Sequence, residues 1–238
     1  LTITQDSLIL QGLTIPLRIQ KGKRRRMMMT FSQNTLLVET TTGVLSDLDT
    51  AFMRQHSAWI LKHFHRQSGS WQFQQEFLSA ITQKTMIFGK EVPVHFEVST
   101  HYSYHLKNNI LTIRAPEASP ARKKALIAAV LKRIAGDYLK KCMLYWGEIT
   151  GLKVNTLRVK NHRTKWGSCS SLGNINLNWH LVMVDRSLVD YVLVHELMHL
   201  KEMNHSAKFW KCVEQFYPDY KMAKKALSER QWIIGIYS

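Results

Sequence analysis

The chain has 238 residues, 45% of them hydrophobic and 21% charged, with 33 Lys and Arg against 17 Asp and Glu for a net charge of +16. That length buries the core of one large domain or two small ones, and no run approaches the roughly eighteen continuous apolar residues of a membrane-spanning helix. The charge points to anionic partners, nucleotide or nucleic acid, or simply to a solvated basic surface, while no zinc-finger or P-loop pattern is present.

The opening LTITQDSLIL lacks the basic start and long apolar run of a secretion signal. Cys142, Cys169 and Cys212 stand apart without a CxxC pair, which argues against a disulfide framework and for a reducing cytoplasm. Apolar residues then alternate through LILQGLTIPLRIQKG and RRRMMMTFSQNTLLVETT, the period of strands, with Gln33–Asn34 as a turn. Ser46 or Asp47 caps a helix over LDTAFMRQHSAWILKHFHR, where Phe52, Trp59, Ile60 and Phe64 are expected on one face. QSGS at 67–70 reads as a flexible break. It divides the chain into a strand-helix lobe, 1–70, and a second domain, 71–238.

A second strand group follows in MIFGKEVPVHFEVS and YSYHLKNNILTIRA, with KNN as a hairpin turn. Its layout resembles that of the first, IPLRIQKG…TLLVETT beside VPVHFEVS…ILTIRAP. Ser119–Pro120 starts a long helix, expected to end near Gly147 and to bury Leu126, Ala129 or Val130, Ile134 and Tyr138. Three short strands come next, KVNTLRVKN, RTKWGSC and GNINLNW, with SSLG as a turn. Helices are expected over 186–202 and 206–216, the second capped by Ser206, and a shorter one after Pro218.

HELMHLKEMNH, 195–205, carries the chemistry. Residues four apart on a helix differ by about 40°, so His195 and His199 direct both imidazoles at one ion. Glu196 lies about 60° further round, placed to take a proton from an activated water without being a ligand. Val189, Leu193, Leu197 and Leu200 form the opposite edge and anchor the helix. A rigid helix with two histidine ligands is what catalytic zinc requires. His205 is the natural third ligand, with Glu214 as the alternative. The spacing matches HExxHxxGxxH except that Glu202 replaces the glycine. The helix is therefore expected to run on and turn at Met203–Asn204, Asn being tolerant of the left-handed conformation. Glu202 is left to the bend, to orienting a ligand, or to solvent.

The preceding stretch, RTKWGSCSSLGNINLNWHL, forms a ribbon whose free edge suits an extended peptide. Arg163 and Lys165 are candidates for meeting a carboxylate or phosphate, Trp166 for a pocket wall, and Asn176 for a further substrate contact. Trp166 and Trp179 also fit a core, and Cys169 a buried thiol. His56, His63, His65, His95, His101, His105, His162 and His180 are scattered singly and are assigned to surface or packing.

RTKWGSCSSLGNINLNWHL followed by VDYVLVHELMHLKEMNHSAKFW resembles the YgjP-like metallopeptidases, small zincins related to SprT-like proteins. The resemblance runs from KGKRRRMMMTF to the tail and is most specific over 163–210. It implies an α+β, zincin-like fold with a mixed or antiparallel sheet beside the active-site helix. It also implies a Zn²⁺ site of His195, His199 and His205, with Glu196 catalytic. The expected function is hydrolysis of peptide or unfolded polypeptide by zinc-activated water with Glu196 as general base. The alternatives are a nucleoside triphosphate (UTP) pyrophosphatase on the same site and a non-catalytic, metal-stabilised nucleic-acid-binding module.

Overall fold

The computed structural model describes residues 2–4, 7–10, 13–23, 26–32 and 35–237, with side chains for all of these but 2, 32 and 65–75. The Gln33–Asn34 turn and the His65 side chain lie outside what is described. The fold is mixed α and β, in two compact units, Leu1–Ser79 and Ala80–Ser238.

The first unit holds β1 (Thr2–Ile3), β2 (Ser7–Leu10), β3 (Leu13–Lys21), β4 (Met28–Ser32) and β5 (Thr35–Thr40), in the sheet order β1-β2-β3-β5-β4. Alternation puts Leu8, Ile15, Leu17, Leu36 and Val38 on one face, where they form a core with Met53, Ile60 and Phe64. The last three come from α1 (Asp47–Gln55) and α2 (Ser57–Ser79). Ser46 opens α1 with a capping box to Asp49. The single helix read from the sequence is thus interrupted at His56, the cap of α1. The interruption re-aims the chain, so Phe52 is 42% exposed and Met53 is buried in its place. QSGS does not break the chain. The backbone stays helical through 67–70 to Ser79, where the first unit ends.

In the second unit, β6 (Lys84–Ile87), β7 (Lys90–Val98), β8 (Ser103–Lys107) and β9 (Ile110–Ala115) take the order β6-β7-β9-β8. This sheet repeats the ladders of the first from β2 onward. Ser7 faces Pro16 and Leu10 faces Leu13 in one, and Lys84 faces Pro93 and Ile87 faces Lys90 in the other. The parallel ladders run Leu17↔Leu36 to Lys21↔Thr40 and Val94↔Leu111 to Val98↔Ala115. The outer ladders close Ser32 on Thr35 and Lys107 on Ile110. Asn108 and Asn109 both take positive φ, 51° and 59°, the mirror-image turn that a two-residue hairpin requires.

Ser119 caps α3 (Pro120–Thr150), its hydroxyl accepting from the Arg122 amide. The helix passes Gly147 and stops at Gly151, whose φ of 68° is the left-handed cap conformation. Its buried stripe is Ile127, Leu131, Ala135, Leu139 and Met143, one residue round from the stripe expected. Of the expected residues Val130 is buried, Leu126, Ile134 and Tyr138 are half-buried and Ala129 is exposed. A third sheet joins β10 (Thr156–Lys160), β12 (Asn174–Asn178) and β11 (Gly167–Cys169) in that order, leaving β11 paired on one side only. A 3-10 turn at Trp179–Met183, α4 (Arg186–Met198), α5 (Ala207–Phe216), α6 (Tyr220–Glu229) and a second 3-10 turn at Gln231–Gly235 complete the unit.

Candidate metal centre

The central helix α4 is buried nearly all round, by Leu188, Val189, Tyr191, Val192, Leu193, Val194, Leu197 and Met198, so it is a core helix rather than an amphipathic surface one. It stops earlier than its sequence suggests. His199 is the C-cap, at φ −65° and ψ −18°, and the amides of Leu200, Lys201 and Glu202 turn back onto the carbonyls of Leu197 and Met198. The expected left-handed turn at Asn204 is not formed, since Asn204 is absent from the positive-φ residues among those described. Its side-chain oxygen accepts from the Ser206 amide at 3.0 Å instead. Ser206 then caps α5, accepting from the Phe209 amide. A tight right-handed turn followed by an Asx turn reverses the chain, and glycine is not needed.

That reversal carries His205 back over the helix end. The ligand atoms of His195, His199 and His205 all lie within 4.8 Å of one another, the single such cluster among the described residues. The Nε2 atoms of His195 and His205 are 3.0 Å apart. His199 Nδ1 sits 3.1 Å from the Glu202 carbonyl. A carbonyl only accepts, so Nδ1 carries the proton and the Nε2 lone pair is free for an ion. Phe209 stacks on His199 and Trp210 on His205, fixing both rings. Burial, then the neighbouring His199, His205 and Lys224, pushes the His195 pKa down to about 3, and burial leads the same lowering at His205. Both are held neutral, the form that binds metals.

Glu196 is 5% exposed and its Oε2 has no hydrogen-bond partner. Burial raises its pKa to about 8 against the opposing pull of Lys165. Room for it comes from Gly167 on β11, where a Cβ would stand 2.6 Å from Glu196 Oε1. The two residues open onto a cleft of about 320 Å³ lined also by Lys165, Trp166, Tyr191, His195 and Lys224. Three imidazoles converging beside a buried, unpartnered carboxylate oxygen are a donor set that fits a divalent transition metal.

Lys165 and Trp166 are therefore brought to the cleft. Arg163 is exposed and is not among the cleft's lining residues. Asn176 lies on the other face of the sheet, its amide reaching Ser168 Oγ at 3.4 Å. Glu214 is exposed and outside the histidine cluster, and Glu202 meets Lys208 at 3.6 Å. Cys169 is half-buried, its thiol pushed up to about 11 by burial and by Glu196, and Trp179 is fully in the core. Sequence reading passed over Tyr191 and Lys224. Tyr191 stands four residues before His195 and so shares its face of the helix, a signal that was present. Lys224 comes from α6 and has no local signal at all.

No curated protein matches the chain. Two solved structures resemble part of it, the metallopeptidase zymogens abylysin of Pyrococcus abyssi and jannalysin of Methanocaldococcus jannaschii. They are 23% and 20% identical to it, each match covers 39% of this chain and 93% or 95% of theirs, and both have a TM-score of 0.36. The family described as "YgjP-like, metallopeptidase domain" matches residues 6–230, nearly the whole length, histidine cluster included. On that match the chain belongs to the YgjP-like metallopeptidase family.

Proposed function

We propose that the second unit is a zincin-like metallopeptidase domain whose zinc ligands are His195, His199 and His205 and whose general base is Glu196. Family membership already implies a metal-dependent hydrolase. The observation that carries the finer reading is the convergence of the three imidazoles beside a carboxylate whose Oε2 is buried without a partner. Zinc, when bound, supplies a Lewis acid that lowers the pKa of water and polarises a carbonyl.

The chain's own residues do the rest. Glu196 is placed to take the proton of the attacking water through its free Oε2 and to return it to the leaving amine nitrogen. The Nδ1–H of His199, held on the Glu202 carbonyl, keeps that ring turned for ligation. An extended substrate fits along the unpaired edge of β11, beside Lys165 and Trp166. The positions of β11 and β12 next to α4, with Gly167 against Glu196, support the zincin-like arrangement.

Incubating the zinc-loaded protein with unfolded polypeptide and, separately, with UTP tests the substrate class. Hydrolysis of polypeptide that disappears in Glu196→Gln is expected. Turnover of UTP alone would replace this reading with a pyrophosphatase. Zinc held without turnover of either would leave a structural metal.

A further inference from the structure

The face of the β10–β12–β11 sheet turned away from Glu196 holds a concavity of about 430 Å³ lined by Thr156, Arg158, Lys160, Ser170, Asn174 and Asn176, among others. Strand alternation builds it. Ile175 and Leu177 are fully buried, while Asn174 and Asn176, alternating with them, face the other way. The parallel ladder sets Thr156 beside Asn174 and Arg158 beside Asn176, and the antiparallel ladder sets Ser168 on the far flank of Asn176. Gly167, the neighbour of Ser168, is the residue that abuts Glu196, so the concavity and the histidine cluster open on opposite faces.

Two polar rows therefore cross three strands, each spanning about 10 Å at the usual strand spacing, enough for a phosphate and its sugar. No carboxylate among the described residues lines the concavity. Among the described residues neither Arg158 nor Lys160 has an acidic partner within ion-pair distance. Standing two residues apart on one strand face, about 6.6 Å along the strand, the two cations repel, and an anion between them relieves that repulsion. The volume lies within the usual range of small-ligand sites.

We propose that this concavity is a phosphate-binding site distinct from the metal centre. Arg158 and Lys160 hold the phosphate, and the Asn174 and Asn176 amides with the Ser170 hydroxyl hydrogen-bond the sugar or base. A free nucleotide and one unit of a single-stranded nucleic acid share that chemistry. The site stands whether or not the histidines hold zinc.

Binding to the zinc-loaded full chain is measured with a fluorescent single-stranded oligonucleotide by anisotropy and with UTP by calorimetry. Arg158→Gln/Lys160→Gln is expected to weaken binding by about ten-fold or more. For the oligonucleotide it should also flatten the log–log salt slope by about 1.4, the share of two released counterions. Asn176→Asp sets a carboxylate in the concavity with little change of shape and should weaken binding too, giving an independent reading if the double variant does not fold. Lys140→Gln/Lys141→Gln removes equal charge at exposed positions of α3 and should leave affinity nearly unchanged. Sensitivity of the oligonucleotide alone identifies nucleic acid as the source of the phosphate, and sensitivity of UTP alone identifies free nucleotide. The proposal is overturned if neither probe binds, if binding ignores Arg158→Gln/Lys160→Gln and Asn176→Asp, or if the two charge-removing variants lose affinity equally.

Discussion

Gly167 and Glu196 constrain each other at the centre. A methyl group at 167 would meet Glu196 Oε1 at 2.6 Å, its Cγ at 2.8 Å and its Cδ at 2.9 Å, so either the strand or the carboxylate must move. Gly167→Ala is expected to cost about 1–3 kcal/mol and to lower kcat by displacing the base while zinc remains bound. Chemical denaturation beside steady-state kinetics checks both halves. A second residue with a measurable signature is His180, buried, stacked on Trp179 and bonded through Nδ1 to Asn178 Oδ1. Burial, then Lys132, pushes its pKa down to about 4 from 6.5. The unfolded chain binds the proton first, so the neutral ring costs nothing above pH 6.5, and stability falls as pH drops from 6.5 to 4, by about 3 kcal/mol in all. His180→Gln should flatten that part of the pH–stability curve, and an unchanged slope would remove His180 as its cause. His195, Glu196 and His199 were readable in the sequence because one helical turn contains them. Asn176 was misplaced because strand parity, which decides the face, depends on where the strand begins.

Among the elements, the turn between α4 and α5 decides whether the third histidine arrives. Ser206 opens α5, its hydroxyl accepting from the Phe209 amide and its carbonyl from the Trp210 amide. Ser206→Ala is expected to destabilise by about 1 kcal/mol. It should also weaken zinc binding several-fold, because His205 is the residue just before the cap. Competition with a chelator reads the second effect, and a variant with lowered stability but parental zinc affinity would show the cap to be purely structural. The helix starts at Ser46, Ser119 and Ser206 could all be read from their caps, which are local chemistry. The stops could not. Gly147 looked like an end for α3, but its carbonyl accepts from Leu152 and the left-handed residue is Gly151. The stop of α4 at His199 has no sequence signature, because that turn is closed by backbone bonds to Leu197 and Met198.

Over the whole molecule, one strand arrangement occurs twice, once in each unit, with matching ladders from Ser7↔Pro16 and Lys84↔Pro93 onward. The likeness of layout was visible in IPLRIQKG and VPVHFEVS, while the identity of register needed the backbone. Only the second unit adds the third sheet and α4, so the histidine cluster lies within Ala80–Ser238. No helix among the described residues is long and apolar enough to cross a membrane. The central claim is that His195, His199 and His205 hold a zinc ion on which Glu196 acts as base, and one paired measurement tests it: zinc content and polypeptide turnover of the parent, Glu196→Gln and His205→Ala. The account predicts that the parent carries zinc and hydrolyses, that Glu196→Gln keeps the zinc and loses about 10²–10⁴ in kcat, and that His205→Ala loses zinc affinity. Full turnover by zinc-loaded Glu196→Gln, or parental zinc affinity in His205→Ala, would contradict it.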